Sequence, residues 1–410
     1  MNIREEMSAA PKVPLRYLVS FNPRPASNLR GDSVYLPMEA ISEFGPVDTS
    51  RRRPFGELRQ GYSYVENGDI ALAKVTPCFE NGKGLVARNL PGGHAFATTE
   101  VTVIRPSAKI DADYLGWVLQ SSHFVKQGES HMTGSGGLRR VPESFIGSYS
   151  IPLPDRRTQR AIADYLDRET ARIDTLIEEQ QRLIEILRER RTAVVAHGTS
   201  QGTQVEFRRV IAALRQGWSP NCENLPADGV EEWGVLKVGC ANTGRFDPAE
   251  NKRLPGDVAP RPELAVRRGE IIMSRSNTKE LVGTAAVVDD NYPRLLLSDL
   301  TYGISLTADA DPAFVAYALA SPGMRVQISA AAKGMSHSMQ KISQRDIREL
   351  RVRLPVVAEQ RRIAAYLDEQ TAKIDTLITE TERFIELARE RRSALITAAV
   401  TGQIDVREMV

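Results

Sequence analysis

The sequence has no long apolar segment and few cysteines. No apolar run approaches the roughly 18 residues that a membrane-spanning helix needs. The first ten residues are polar and include Glu5 and Glu6, unlike a secretory signal peptide. Cys78, Cys222 and Cys240 are the three cysteines of the 410 residues, and this low, odd number favours reduced thiols. We therefore expect a soluble, cytoplasmic protein that does not bind a membrane.

Motifs of several common catalytic chemistries are also missing. There is no Gly-x-x-x-x-Gly-Lys-Ser/Thr phosphate loop, and the glycine-rich segment from Gly134 lacks the strand-then-helix context of a dinucleotide site. Asn22-Pro23 is followed by Arg24, so it is not the Asn-Pro-Pro-aromatic motif of an amino-methyltransferase. The cysteines form no Cys-x-x-Cys pair and the five histidines lack ligand spacing, so no metal site is predicted. The chain is expected to be non-catalytic.

The chain also lacks an excess of charge of either sign. It has 54 Lys and Arg residues against 52 Asp and Glu residues, a formal charge of +2. A protein that coats nucleic acid is usually far more basic, whereas a sequence-specific binder needs only a local basic face. The overall charge therefore neither supports nor excludes DNA as a partner.

What the sequence does contain is one long amphipathic segment in two copies. Residues 153–191 read LPDRRTQRAIADYLDRETARIDTLIEEQQRLIEILRERR, and residues 354–392 read LPVVAEQRRIAAYLDEQTAKIDTLITETERFIELARERR. Tyr165 matches Tyr366, so the copies are offset by 201 residues, the difference between these two numbers. The repeat divides the chain into a first module (1–150), a first helical region (151–202), a second module (203–351) and a second helical region (352–410).

The repeat extends weakly into the modules. Gly68-Asp69-Ile70 matches Gly269-Glu270-Ile271, and Lys74 then aligns with Arg275. The segment from Leu138 to Val141 aligns with the segment from Met339 to Ile342. Alternating or apolar runs predict strands at 68–75, 95–104, 269–276, 282–289 and 302–308. Helices are predicted at 113–127 and 313–329, so each module is expected to be α+β.

Each helical copy carries a heptad-like apolar stripe on a helix rich in Glu, Arg and Gln. The seam residues are Leu166, Ile173, Leu187 and Val194 in the first copy, and Leu367, Ile374, Ala388 and Leu395 in the second. Further apolar residues are expected to fill the stripe, namely Ile162, Leu176, Ile177, Leu183 and Ile184, and Ile363, Leu377, Ile378, Phe384 and Ile385. The nearest partner for each stripe is the other copy. We therefore predict an antiparallel coiled coil with internal pseudo-two-fold symmetry and the modules at opposite ends.

Two features of the helical copies leave alternatives open. The predicted starts and ends are marked by Pro154 and Pro355, and by Gly198 and Gly402. Asp and Thr cap helices well, so each copy is either one helix or a helix broken near 167–170 and 368–371. Gln180 and Thr381 are polar at matched seam positions. They are either a solvated edge of the stripe or a polar pair that sets the register.

The repeated helical segment resembles the conserved segment of a known protein family. The pattern Leu-Pro…Gln-Arg-x-Ile-Ala-x-Tyr-Leu-Asp-x-x-Thr-Ala-Arg/Lys-Ile-Asp-Thr-Leu-Ile, followed by Arg-Glu-Arg-Arg, is similar to the conserved regions of DNA-specificity subunits of Type I restriction-modification systems. The ending AAVTGQID from Ala398, the Gly-Asp/Glu-Ile segments and RQGWSP at 215–220 also resemble that family. The first module departs from it, because Asn22-Pro-Arg-Pro25 stands in place of GWSP and the first copy ends in AHGTSQG.

The resemblance implies two α/β target recognition domains joined by two long antiparallel helices. Each domain would read one half of a bipartite, asymmetric site in double-stranded DNA. The helices would set the spacing and recruit two methyltransferase subunits, with restriction subunits adding cleavage. S-adenosylmethionine, ATP and Mg would belong to those partners, so this chain would bind no cofactor. About 30 helical residues span about 45 Å, or about 13 base pairs, so half-sites about one turn apart are expected.

Base-reading residues should be polar or basic side chains at strand ends and loops of the modules. The candidates are Lys74, Arg275, Ser276, Asn277, Arg139, Arg140, Gln340 and Lys341, with Arg51, Arg52 and Arg53 as phosphate contacts. The alternative for each is a solvated surface charge. The arginine-rich ends of the helical copies, 188–191 and 389–392, are either partner surfaces or charges that solvate the helix.

Two competing hypotheses belong to other classes of protein. A self-contained restriction enzyme or methyltransferase would need a catalytic motif that is not found. A scaffold unrelated to DNA, with a coiled coil joining two ligand-binding modules, would bind no DNA even beside a methyltransferase partner.

Overall fold

The structure, a computed structural model, describes residues 3–25, 31–135, 137–334 and 339–406. The chain forms two compact units. Unit 1 comprises Met1–Gln181 and Arg383–Val410, and unit 2 comprises Arg182–Glu382. Both long helices contribute residues to both units. Each unit therefore contains one module, part of the first long helix and part of the second.

Unit 1 begins with short strands and helices that precede the first long helix. Its strands are β1 Lys12–Pro14, β2 Val19–Phe21, β3 Asp32–Leu36, β4 Arg52–Pro54, β5 Ser63–Glu66, β6 Ile70–Ala73, β7 Gly84–Val86, β8 His94–Ala97, β9 Val101–Pro106, β10 Thr133–Ser135, β11 Leu138–Arg140 and β12 Ser150–Pro152. Its helices are α1 Ile3–Ala9, α2 Phe55–Leu58, α3 Ala112–Gln120, α4 Ser122–Ser130, α5 Glu143–Ser148 and the start of α6 Arg156–Gly198, with 3-10 turns at Leu15–Tyr17, Met38–Ala40 and Pro91–Gly93.

Unit 2 repeats this order of elements. Its strands are β13 Thr203–Glu206, β14 Ile211–Gln216, β15 Gly234–Leu236, β16 Asn251–Arg253, β17 Ile271–Ser274, β18 Ser276–Asn277, β19 Ala285–Val287, β20 Leu295–Leu296, β21 Thr301–Leu306, β22 Gln340–Lys341 and β23 Arg351–Leu354. Its helices are α7 Pro312–Ala320, α8 Pro322–Ala331, α9 Gln344–Glu349 and most of α10 Val357–Val400, with 3-10 turns at Phe207–Arg209, Val238–Ala241 and Pro262–Leu264.

The two modules share a sheet order. The antiparallel sheet β2-β9-β6-β7 of unit 1 corresponds to β14-β21-β17-β19 of unit 2. A second sheet, β4-β3-β8-β5, corresponds to β16-β15-β20, and in both a parallel pair (β3 with β8, β15 with β20) interrupts the antiparallel pattern. Smaller pairs join β1 with β12, β10 with β11, β13 with β23 and β18 with β22. The predicted α+β fold of the modules is confirmed.

The central strand of each module is buried on both faces. In β6, Ile70 and Leu72 enter the core beside the helices, whereas Ala71 enters the core shared with the second sheet. In β17, Ile271 and Ile272 point to opposite cores in the same way. Side chains alternate along a strand, so a strand between two cores must be apolar at every position. This explains the apolar runs after the Gly-Asp/Glu pairs.

The long helices pair in antiparallel fashion within each unit. In unit 1, Arg392 of α10 lies 2.9 Å from the carboxylate of Asp174 in α6. In unit 2, Arg191 Nε of α6 donates to Asp375 Oδ1 of α10 at 2.8 Å. Each of these residues matches one in the other pair across the repeat, with the two helices exchanging roles. The predicted antiparallel pairing of the helical copies is confirmed.

The seam residues occupy the inner side of the helices. Leu166, Leu187, Leu367 and Ile374 are buried, with Ile173 and Leu395 half-buried. Four residues expected to fill the stripe are exposed instead, namely Leu176, Leu183, Leu377 and Phe384. Each directly precedes an inward-facing residue of the stripe, and one step turns a helix by about 100°. The expectation of burial at these four positions is wrong.

Both helices are continuous, so the alternative of a break near 167–170 and 368–371 is wrong. The Asp and Thr side chains do not cap a new helix because they bind elsewhere. Asp167 accepts a hydrogen bond from Trp117 Nε1 at 2.9 Å. Thr170 donates to the carbonyl of Leu166 at 2.6 Å. The polar seam residue Thr381 likewise donates within its own helix.

The module helices and one strand are divided where the sequence predicted single elements. The helices predicted at 113–127 and 313–329 are each broken, at Ser121 and Ser321, where the backbone is extended. Both serine hydroxyls donate to the carbonyl three residues earlier at 2.7 Å. The strand predicted at 95–104 is divided into β8 and β9.

A buried glutamine joins each module to its long helix. Gln159 Oε1 accepts from the backbone N–H of Asp111 at 2.8 Å, and Gln159 Nε2 donates to the carbonyl of Pro154 at 2.8 Å. Gln360 makes the equivalent pair of bonds with Asp311 and the carbonyl of Pro355, both at 2.8 Å. This glutamine belongs to the repeated Gln-Arg-x-Ile-Ala motif, which therefore fixes each module on its helix.

Candidate nucleic-acid interface

In unit 1, the hairpin β10–β11 lies beside the segment that follows β6. Thr76 N donates to Arg139 O at 3.0 Å, and Val141 N donates to Lys74 O at 2.8 Å. These bonds bring the predicted residues Lys74, Arg139 and Arg140 together at the end of the central strand. In the sequence, Lys74 is more than 60 positions away from the two arginines.

Unit 2 builds the same arrangement from β18 and β22. In this pair Ser276 lies opposite Lys341 and Asn277 lies opposite Gln340. Ile342 N donates to Arg275 O at 3.1 Å, which matches the Val141–Lys74 contact of unit 1. The structure thus gathers five of the predicted residues, namely Arg275, Ser276, Asn277, Gln340 and Lys341.

The arginines of the unit 1 hairpin are already engaged by carboxylates. Arg140 Nε and Nη2 donate to the two oxygens of Glu100 at 2.9 and 2.8 Å, and these bonds lower the pKa of Glu100. Arg139 Nη2 lies 3.3 Å from Glu80. A planar arginine fork can read guanine only with both donors free. Arg140 must therefore leave Glu100 before it can contact a base in that way.

The predicted DNA-binding residues of unit 2 differ in how free their side chains are to contact DNA. Arg275 Nη1 donates to the backbone carbonyl of Asp299 at 2.9 Å, and Asn277 Nδ2 donates to Asn242 Oδ1 at 3.0 Å. Lys341 is exposed. Ser276 is only 4% exposed, so its side chain cannot reach a DNA surface while this fold is kept. The sequence-based choice of Ser276 as a base contact is corrected to a position inside the module.

A polar cleft of about 620 Å³ lies in front of Lys74 in unit 1. Its basic side chains are those of Lys74, Arg24 and Arg59, and the aromatic rings of Tyr62 and Tyr64 also line it. None of the described residues that line it is Asp or Glu, although Glu100 lies between the lining residues Thr99 and Val101. A groove that combines cations with aromatic rings attracts the phosphate backbone and offers a surface for bases. The cleft is therefore suited to a nucleic acid.

One residue of the predicted arginine run, Arg53, contacts a lining residue of the same cleft. Arg51, Arg52 and Arg53 are exposed along β4 and just before it. The Arg53 guanidinium lies 4.5 Å from the centre of the Tyr35 ring, and its Nη1 donates to Tyr62 Oη at 3.3 Å. Since Tyr62 also lines the cleft, Arg53 is held next to the surface that contains Lys74.

Sequence reasoning missed Arg59 and Tyr62 and gave Arg24 no role in binding. Arg59 and Tyr62 both precede β5, and they approach Lys74 only because two sheets pack together. No local pattern marks such residues. Arg24 had a signal in the unusual Asn-Pro-Arg-Pro turn, which places it beside the cleft.

Proteins to which this chain is similar include components of Type I restriction-modification systems. No family model matches the chain. The EcoEI Type I restriction enzyme specificity subunit of Escherichia coli is 26% identical over 466 aligned positions, covering 89% of this chain and 78% of the relative. The HsdS subunit from Thermoanaerobacter tengcongensis matches with a TM-score of 0.58 and 16% identity, over 96% of this chain and 97% of that one. The chain belongs to the specificity subunits of Type I restriction-modification systems.

A further solved structure supports the fold of this specificity subunit. It comes from work on complex assembly and conformational transition of the type I R-M system, and it matches with a TM-score of 0.79 and 16% identity. The match covers 96% of this chain and 98% of the other. The predicted architecture of two modules joined by long helices is confirmed.

The Gly-Asp/Glu-Ile segments of the specificity subunit have a structural role. Asp69 is buried and accepts from Arg105 Nε at 2.7 Å, and Glu270 is buried and lies 2.6 Å from Arg215 Nη2. Arg215 is the first residue of the RQGWSP segment. Its guanidinium points into the module because it binds the buried Glu270. A later residue of that segment, Trp218, packs under Arg261 at 4.4 Å.

The described part of the chain has neither a metal-binding cluster nor a membrane-spanning helix. Within residues 3–25, 31–135, 137–334 and 339–406, no group of three or more His, Cys, Asp and Glu side chains could hold a metal ion. In that same part of the chain, no helix has the length and apolar character needed to cross a membrane.

Proposed function

We propose that the two modules of this specificity subunit read the two halves of a bipartite, asymmetric site in double-stranded DNA. One observation carries the proposal. Both modules build the same hairpin-and-strand site, yet matched positions hold different side chains, with Lys74 against Arg275 and Arg139 against Gln340. A similar backbone frame with different donors is what two readers of different base pairs require.

The candidate side chains fall into two groups, one suited to base contacts and one suited to phosphate contacts. Lys74 and Arg275 stand at the end of a central strand, where the frame is rigid and a donor can be placed against a base edge. Arg51, Arg52 and Arg53 line an exposed edge and suit phosphates, which need charge but little geometric precision. The half of the site read by unit 1 would lie against the cleft that Lys74 and Tyr62 line.

The long helices would set the spacing of the half-sites and recruit two methyltransferase subunits, with restriction subunits joining them. Three apolar positions support a partner surface because they are exposed in both copies of the repeat. They are Leu176 and Leu377, Leu183 and Phe384, and Ile186 and Leu387. Exposed apolar residues at matched positions are expected where one kind of partner binds twice.

The chemistry of the system would belong to those partners. S-adenosylmethionine would serve the methyltransferase subunits, and ATP and Mg the restriction subunits, in the cytoplasm. The specificity subunit would bind no cofactor and would have no activity of its own. Assay of the isolated chain for methylation and cleavage tests this point, and activity of the purified chain would contradict it.

The proposal is tested by sequencing the methylome of a host that carries this chain and its methyltransferase. The expected result is one bipartite motif with an unread gap. Arg275→Ala should relax the half read by unit 2 by roughly tenfold or more in methylation selectivity, since one good base contact contributes about 1–3 kcal/mol. The other half and methyltransferase assembly should be unchanged. A methylation pattern identical to that of the wild type would contradict the assignment of Arg275.

A further inference from the structure

Two large apolar residues are exposed at matched positions on the candidate interface. Leu138 lies on β11 and is 48% exposed, and Met339 directly precedes β22 and is 55% exposed. They are aligned by the same offset of 201 residues as the helical copies. A single exposed apolar residue is ordinary on a protein surface, but a matched pair on two diverged modules needs a reason.

The backbone holds both residues in the same way. A side chain at Gly134 would overlap the carbonyl oxygen of Leu138, and a side chain at Gly334 would overlap that of Met339. Each hairpin thus packs a glycine directly against the residue that carries the apolar side chain. In unit 1, Thr76 also fixes the turn, since its hydroxyl donates to the carbonyl of Gly137 at 3.0 Å. Close backbone packing therefore holds both residues that carry the exposed apolar side chains.

Basic residues follow both side chains in the sequence. Leu138 is followed by Arg139 and Arg140, which are paired with Glu80 and Glu100, and Met339 is followed at two positions by Lys341, which pairs with Lys333 in the backbone. Cationic groups around an apolar tip match a duplex, which presents phosphates around a stack of apolar base faces.

We infer that Leu138 and Met339 are wedges that enter the base stack of DNA, one in each half of the site. This inference rests on the proposed function. Leucine and methionine are among the apolar side chains that separate base steps, and a wedge lowers the cost of drawing a neighbouring base out of the duplex. The recognition modules would then prepare the DNA for base modification as well as select it.

The first test measures affinity for a duplex that carries the mapped site. Leu138→Ala and Met339→Ala in the full chain, assembled with its methyltransferase, should each weaken binding by roughly tenfold or more, because burial of such a side chain is lost. Leu138→Met should restore binding. The matched control is Leu225→Ala, which removes a side chain that is 57% exposed elsewhere in unit 2 and should leave binding unchanged.

The second test places 2-aminopurine at each position of the site and measures its fluorescence, which rises when the base is unstacked. The wild-type complex should show a rise at one step in each half. Leu138→Ala should remove the rise in one half and Met339→Ala in the other. Unchanged fluorescence in both variants, or weaker methyltransferase binding with unchanged DNA affinity, would overturn the inference. If the wild-type complex bound no mapped duplex, the proposed function itself would fail, and the inference with it.

Discussion

The two modules keep one buried carboxylate but neutralise it from different strands. In unit 1, Asp69 is held by Arg105 of β9, and in unit 2, Glu270 is held by Arg215 of β14. A buried carboxylate requires a partner, yet the partner can come from any strand that reaches it. The difference shows that both modules keep a buried carboxylate at the same position of the fold, whereas the arginine that balances its charge comes from a different strand in each.

The modules also differ at the candidate interface. Arg140 of unit 1 forms an ion pair with Glu100, whereas the matched Lys341 forms no ion pair with a carboxylate in the described part of unit 2. The backbone contact that joins this segment to the end of the central strand is nevertheless present in both, as Val141 N to Lys74 O and as Ile342 N to Arg275 O. Divergence is thus concentrated in the side chains that would meet different base pairs, and the frame that carries them is constant.

The largest expected effect comes from breaking the ion pair of unit 2. Glu270→Ala should lower the free energy of unfolding of unit 2 by about 3–5 kcal/mol, because Arg215, whose side chain is only 17% exposed, would lose the carboxylate that balances its charge. Urea unfolding measures it in a Trp117→Phe background, in which Trp218 and Trp233 of unit 2 are the remaining tryptophans. The double replacement Glu270→Met with Arg215→Met should recover much of the loss.

The matching change in unit 1 sharpens the comparison. Asp69→Ala should cost less than Glu270→Ala, because Arg105 is more exposed than Arg215 and keeps a second carboxylate, Glu66, at 2.8 Å. Trp117 reports on unit 1 once Trp218 and Trp233 are replaced by phenylalanine. Equal losses in the two units would show that a second carboxylate and access to water do not decide the cost.

The sequence predicted the parts of this fold that depend on local periodicity. The heptad stripe around Leu166 and Leu367 predicted two long antiparallel helices, and the apolar runs after Asp69 and Glu270 predicted the central strands. Each of these signals repeats every two to four residues, so it is visible without knowledge of the tertiary fold. The repeat itself predicted that the two halves would share one architecture.

The candidate site could be predicted only in part. Lys74 and Arg140 were chosen because the repeat aligns them with Arg275 and Lys341, and the structure brings them together. The cleft residue Tyr62 was missed because it reaches Lys74 through packing of two sheets. Ser276 was chosen for its polarity, but its burial is decided by the register of β18 with β22. Contacts between distant segments carry no local signal.

A smaller loss of stability than at Glu270 is expected where each module is joined to its long helix. Gln159→Met and Gln360→Met should each cost about 1–3 kcal/mol, because each leaves a buried backbone N–H without its acceptor. The two losses should be similar, since the bonds are equivalent in both units. Urea unfolding with the unit-specific tryptophans measures them. Gln181→Met, an exposed position on α6, is the matched control and should change stability by less than about 0.5 kcal/mol.

The smallest effect is expected at the ion pairs between the long helices. Double-mutant cycles should give coupling energies below about 1 kcal/mol for Asp375 with Arg191 and for Asp174 with Arg392, because all four side chains are partly exposed. The first pair should couple more strongly, since Arg191 Nε donates a hydrogen bond whereas Arg392 Nε forms none. Both couplings should fall in 1 M salt, where screening acts within about 3 Å. A stronger coupling in unit 1 would reverse this comparison and would indicate that charge proximity, rather than hydrogen-bond geometry, sets the strength of the helix pairing.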